Sequence, residues 1–308
     1  MWRGRMKILA ALGLGLMIGA GSARAQPTYL PPPPPSEPSP AVTDARIRAE
    51  TKPIVASKII LVGDSTTQVG TGWGGAFCAY HLVSSVACVD LARGGRSTFD
   101  YRAEGSWKIA LAEMQTPGYG KIYVLIQFGH NDQPGKPGHS TDLYTEFPAN
   151  LRGYVNEARS VGAIPILVTP LTRRIFKEGS LQDTLKPWAD AVRGIARELN
   201  VPLVDLHAMS VAAVQKMGVE TALDLSQGEP PPGVVEAAAT GTTIMPPKLE
   251  PAPADNVSTN EPSDAPMGRL RPAFDYTHLG TSGAALFSAQ VTEGLAKAMT
   301  ELRSSLIP

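Results

Sequence analysis

Five short apolar runs recur along the chain, at 58–63 (KIILVG), 86–92 (VACVDLA), 121–129 (KIYVLIQFG), 163–170 (AIPILVTP) and 201–207 (VPLVDLH). Each is nearly continuous in its hydrophobicity rather than alternating, as expected of strands buried on both faces of a parallel sheet. Between and after them the apolar residues return at helical spacing, over 73–82, 143–161, 181–199 and 282–302. Strand alternating with helix predicts an α/β fold, a three-layer α/β/α sandwich around a five-stranded parallel sheet. Ligands bind such sheets beyond the carboxyl ends of the strands, so the loops after the five runs are where chemistry is expected.

The pattern fails at three places, and each failure is informative. Residues 1–25 combine a basic start (Arg3, Arg5, Lys7), a short apolar run and the small-residue pattern Ala23-Arg24-Ala25. That is the form of a cleavable export signal, and its apolar run falls short of the roughly 20 residues of a membrane span. The expectation is a periplasmic or secreted protein with no membrane attachment after cleavage. Residues 26–50 hold the tract YLPPPPPSEPSP, a tether that favours extended polyproline conformation. Residues 51–308 then form one domain, interrupted at 227–267 by a Pro-, Ala- and Thr-rich stretch read as a disordered insertion.

Charge narrows the partners. Lys and Arg number 28, Asp and Glu 28, and no basic stripe is interleaved with aromatics, so nucleic acid is not an expected partner. The two cysteines, Cys78 and Cys88, fit either a disulfide across a small loop of an exported protein or two buried thiols. With five scattered histidines and no further cysteine, no metal or organic cofactor is expected.

The strand ends carry the candidate chemistry. After the first run, GDSTTQVG places Ser65 at a strand-to-helix junction, where backbone N–H groups point toward an anion. ARGGRST follows the second run, with Gly94 and Gly95 permitting close backbone approach to a ligand. FGHNDQPG follows the third, where Asn131 offers a side-chain donor. Arg173 and Arg174 follow the fourth, either lining the cleft or facing solvent, and Asp205 and His207 form an Asp/His pair at the fifth. A second such pair, Asp275 and His278, lies in FDYTHLGTSGA, just past the insertion. Taken singly, each block also reads as a turn or a helix cap.

Taken in order, the four blocks GDST, GG, GHND and DYTH resemble the SGNH (GDSL-type) hydrolase superfamily. GDST, GGRST, EGSW around Trp107, QFGHND, VTPLTRR and DYTHLGTSGA are similar to its rhamnogalacturonan acetylesterase branch. The resemblance implies a flavodoxin-like sandwich and a serine esterase that removes O-acetyl groups from pectin-like polysaccharide. It assigns Ser65 as nucleophile, His278 as base and Asp275 as its orienter. Ser65, Gly95 and Asn131 become the oxyanion hole, and Asp64, Arg96, His130 and Arg173 candidate substrate contacts. The alternatives are an esterase or thioesterase on other acyl groups, or a non-catalytic carbohydrate-binding protein. The expected partner is an acetylated poly- or oligosaccharide.

Overall fold

The computed structural model describes residues 54–245 and 273–308. The expected signal, the tether and residues 246–267 of the expected insertion lie outside them. Strands β1 (Ser57–Gly63), β2 (Val86–Asp90), β3 (Lys121–Gln127) and β4 (Ile164–Val168) are followed by a small antiparallel hairpin, β5 (Phe176–Lys177) and β6 (Ser180–Leu181), and by β7 (Leu203–Val204). Five of them form one parallel sheet in the order β2-β1-β3-β4-β7, which is the predicted doubly wound architecture.

The continuous hydrophobicity of the runs has a direct structural cause. Ile59 and Leu61 of β1 point into one layer, against Trp73 and against Phe77 of α1 (Gly74–Tyr80). Ile60 and Val62 point into the other, which is built on α3 (Ser106–Met114), α4 (Glu146–Ser160) and α5 (Lys186–Glu198). A four-residue helix, α2 (Asp100–Ala103), precedes α3. The first layer is completed by α6 (Leu206–Leu223), α7 (Pro232–Ala239) and α8 (Thr281–Ala298). Each large side chain taken fully out of water contributes about 1.5–3 kcal/mol, so both layers depend on strict alternation along the strands.

Three expectations change. The fifth strand is only two residues long, because Pro202 lacks an N–H for the sheet and Asp205 already caps α6 by accepting from the Ala208 amide. Helix α6 itself was not anticipated; it bends at Gly218, whose φ of 77° and ψ of 176° interrupt its helical pattern. The expected disordered insertion does not begin at Gln227. Residues 227–245 pack onto the body, with Val234 and Ala238 of α7 buried, and Tyr276 Oη donates to Ile244 O at 2.7 Å. Flanking prolines hid this short helix, although proline fits a first helical turn. Cys78 and Cys88 form a disulfide joining α1 to β2, so the bonded reading of the pair holds.

Candidate active site

The chain leaves β1 through Gly63, where a Cβ would lie 2.7 Å from Gln127 O and from Thr67 Oγ1, so only glycine fits. Asp64 then organises the turn from within. Its Oδ1 accepts from the Thr66 amide at 2.9 Å and the Thr66 hydroxyl at 2.8 Å, while its carbonyl accepts from the Thr67 and Gln68 amides. This wrap raises Ser65 on the strand end. Thr71 Oγ1 donates to Ser65 O at 2.8 Å, and the Leu279 amide donates to Thr71 O at 2.8 Å. The serine loop is thereby joined to the residue after His278.

Asp275 and His278 sit in a turn that Asp275 closes on itself. Its Oδ1 accepts from the amides of Thr277 and His278 at 2.6 and 2.7 Å, which leaves Oδ2 free to meet His278 Nδ1 at 2.7 Å. His278 Nε2 lies 2.8 Å from Ser65 Oγ, across 213 positions of sequence. Burial pushes the Asp275 carboxyl up, but hydrogen bonds from the His278 ring and amide, the ring charge and the Thr277 amide outweigh it and hold it down at about 2. An ionised Asp275 keeps the proton of the neutral imidazole on Nδ1, so Nε2 is the acceptor that faces the serine hydroxyl.

Two residues whose role sequence reasoning did not give hold this turn. Arg174 is fully buried, and its guanidinium donates to the carbonyls of Asp275, Thr277 and His278 at 3.3, 3.3 and 2.7 Å, and to Ser226 Oγ. Burial pulls it down to about 10, opposed by the charge of Asp275, so it remains a cation at neutral pH. The sequence left Arg174 between cleft and solvent; it is in neither. Gln227, assigned to the insertion, donates through Nε2 to Asp275 Oδ2 at 3.1 Å, and its amide donates to His278 O. The signal for it was the pair Leu223 and Leu225, both buried, just ahead of Ser226 and Gln227. Neither Thr277 nor Thr281 caps α8, whose N-cap is Gly280 without a side-chain bond.

The donors expected to face an oxyanion come from adjacent loops, since β1 lies between β2 and β3. Gly95 adopts φ 78°, the left-handed region that glycine enters freely. Asn131 Nδ2 donates to Arg96 O at 3.1 Å, drawing the loop after β3 onto the loop after β2. Asp132 ties the same loops beneath, its Oδ1 accepting from Thr98 N, Thr98 Oγ1 and Thr141 Oγ1. Among the described residues, the amides of Ser65 and Gly95 have no hydrogen-bond acceptor and Asn131 Nδ2 has only one.

The expected substrate contacts fare differently. Asp64 and His130 are 0% and 2% exposed, so they brace the site from below rather than touch a ligand. Burial pushes the His130 imidazole down, toward its neutral form, and its Nδ1 stands 3.6 Å from Asp64 Oδ2, beyond hydrogen-bond reach. Arg96 is engaged by Glu104 at 2.8 Å and by Gly94 O. Arg173 donates to Gln133, Thr184 and His130 O, bracing the loop after β3. The other Asp/His pair stands apart: Asp205 binds Arg193 at 2.7 Å, and the His207 ring meets Asp183 and Arg193 rather than a hydroxyl.

Comparison with known proteins adds to this geometry. A profile of the GDSL-like lipase/acylhydrolase family matches residues 61–225. Rhamnogalacturonan acetylesterase RhgT of Bacillus subtilis (strain 168) is 38% identical over 177 residues, which span 55% of this chain and 72% of the relative. A second protein of that organism, named "Probable rhamnogalacturonan acetylesterase YesY", is 32% identical over 173 residues, covering 54% of this chain and 77% of its own. The solved structure of protein YXIM from Bacillus subtilis shares the fold, with a TM-score of 0.55 and 21% identity over 79% of this chain and 57% of that one. The ordered strand-end blocks, the matched profile and these relatives agree: the chain belongs to the GDSL-like lipase/acylhydrolase family.

Proposed function

We propose that this protein is a serine esterase that removes O-acetyl groups from acetylated polysaccharide of the pectin or rhamnogalacturonan type. The observation that carries the mechanism is the relay from Ser65 Oγ to His278 Nε2 at 2.8 Å and from His278 Nδ1 to Asp275 Oδ2 at 2.7 Å. The substrate class rests on relatives named as rhamnogalacturonan acetylesterases.

In this reading Ser65 Oγ attacks the acetyl carbonyl as His278 Nε2 takes its proton. The ionised Asp275 stabilises the imidazolium. Negative charge gathers on the former carbonyl oxygen, where the amides of Ser65 and Gly95 and the free Asn131 N–H donate to it; losing one such donor costs roughly 100- to 1,000-fold in rate. The tetrahedral adduct collapses, and His278 returns the proton to the departing sugar oxygen. Water then repeats the sequence on the acetyl-Ser65 ester, releasing acetate and restoring the hydroxyl.

Export to the periplasm or beyond is part of the proposal. It is supported by the basic-then-apolar pattern of residues 1–25 and by the Cys78–Cys88 disulfide, since disulfides persist in oxidising compartments. The test is acetate release from acetylated pectin by the wild type beside Ser65→Ala. Release that disappears in the variant is expected. Equal release by both would overturn the Ser65 mechanism, and release by neither would overturn the substrate class.

A further inference from the structure

Asn131 can serve an oxyanion only if its amide nitrogen, not its oxygen, faces the reacting carbonyl. Its two polar atoms are held by groups that cannot exchange roles. Oδ1 lies 2.6 Å from Lys136 Nζ, and an ammonium only donates. Nδ2 lies 3.1 Å from Arg96 O, and a backbone carbonyl only accepts. Turning the amide over would set donor against donor at Lys136 and acceptor against acceptor at Arg96. The same ammonium donates to His130 O at 3.0 Å, gripping the backbone just before Asn131.

Lys136 reaches this position because its own loop is closed. The Lys136 amide donates to Ser140 Oγ, the Lys136 carbonyl accepts from His139 and Ser140, and the Thr141 amide donates to Asp132 O. Lysine on a surface loop ordinarily extends into water. This one turns inward, with its ammonium on two acceptors at the edge of the candidate site.

We propose that Lys136 is a positioning residue of the ester-cleaving site, holding the Asn131 amide so that one N–H stays directed at the oxyanion and polarising that amide with its charge. The inference rests on the esterase reading above. Its effect is bounded from above, because Lys136 acts through a donor whose complete loss costs roughly 100- to 1,000-fold. Arg96 O still holds Nδ2 when Lys136 is removed, so the expected loss is smaller, about 10- to 100-fold in kcat.

The test is a double-mutant cycle on 4-nitrophenyl acetate with Lys136→Met, Asn131→Ala and the two combined. Lys136→Met is expected to lower kcat about 10- to 100-fold with KM within about twofold, and to cost less than about twofold once Asn131 is already alanine. Lys136→Gln keeps a donor for Asn131 Oδ1 without the charge and is expected to lose less than Lys136→Met. Three outcomes overturn the assignment: kcat within twofold of wild type in folded Lys136→Met, an undiminished loss in the Asn131→Ala background, or a change confined to KM. Failure of both Lys136 variants to fold also overturns it, by making the residue structural. Wild-type inactivity toward both this ester and acetylated pectin would instead refute the esterase reading itself.

Discussion

Replacing Arg174 by methionine tests whether the acid–base turn depends on a buried cation. The guanidinium is the only donor, among the described residues, to the carbonyls of Asp275 and Thr277, whereas His278 O retains the Gln227 amide. Leaving two carbonyls unpaired costs about 1–3 kcal/mol each. Against this, the variant no longer buries a charge. The fall of the guanidinium from 12.5 to about 10 corresponds to a burial cost of about 3 kcal/mol. The two effects nearly offset, so the expected net loss of global stability is small, about 0–3 kcal/mol. Activity should respond far more, because the carbonyls released belong to the turn that carries Asp275 and His278. We expect kcat on 4-nitrophenyl acetate to fall at least tenfold while urea unfolding stays cooperative. The assay pairs saturating kinetics with urea unfolding of the same preparation. A folded Arg174→Met protein with kcat within twofold of wild type would refute the argument that this cation positions the turn.

Three further outcomes follow from the same structure. Asp275→Asn should lower kcat about 10,000-fold with little change in KM, because an amide donating to Nδ1 moves the ring proton to Nε2, where it can no longer accept from Ser65; retention of more than a tenth of wild-type kcat would contradict this. Removing the disulfide with Cys78→Ala and Cys88→Ala should cost about 2.5–3 kcal/mol, from a sequence separation of 10, and lower Tm by about 5–12 °C; an unchanged calorimetric Tm would show that the crosslink does not constrain the unfolded chain. Burial pushes the Asp90 carboxyl up to about 7, opposed only by the Ala92 amide, so the folded state holds this proton more tightly than the unfolded one. Its contribution is complete below about pH 4 and is lost as pH rises through 7, and Asp90→Asn should therefore gain on wild type by up to about 4 kcal/mol between pH 4 and pH 8. Urea unfolding at both pH values reads that difference, and parallel pH dependence of the two proteins would refute it.

The layered fold was legible because its cause is local. Ile59 to Val62 read as continuous apolar sequence since alternate side chains enter opposite layers, and any strand covered on both faces has this form. The four blocks of the candidate site were legible for a related reason: each is a short motif, three at strand ends and one ahead of α8, and a short motif is visible wherever it lies. The elements that sequence reasoning missed or misjudged are those whose state depends on neighbours. The α7 helix is eight residues between prolines, too short to hold itself, and it forms because Val234 and Ala238 find a core to enter.

The division is clearest in the site. Sequence alone pointed to the groups of the proposed chemistry, a serine, a histidine, a carboxylate and an amide, each in a short motif; that Asp275 closes its own turn through the Thr277 and His278 amides came only from the structure. Tertiary structure decided which polar residues stay at the open site and which are buried to hold it together. Asp64, His130 and Arg174 look from sequence like candidates for a cleft, yet the sheet buries all three and turns them to bracing. Gln227 and Lys136 look like solvated loop residues, yet they end on Asp275 Oδ2 and Asn131 Oδ1. Side-chain direction at these positions is set by packing between segments distant in the chain, and hydrogen bonds of 2.6–3.3 Å form only once that packing has brought the segments together.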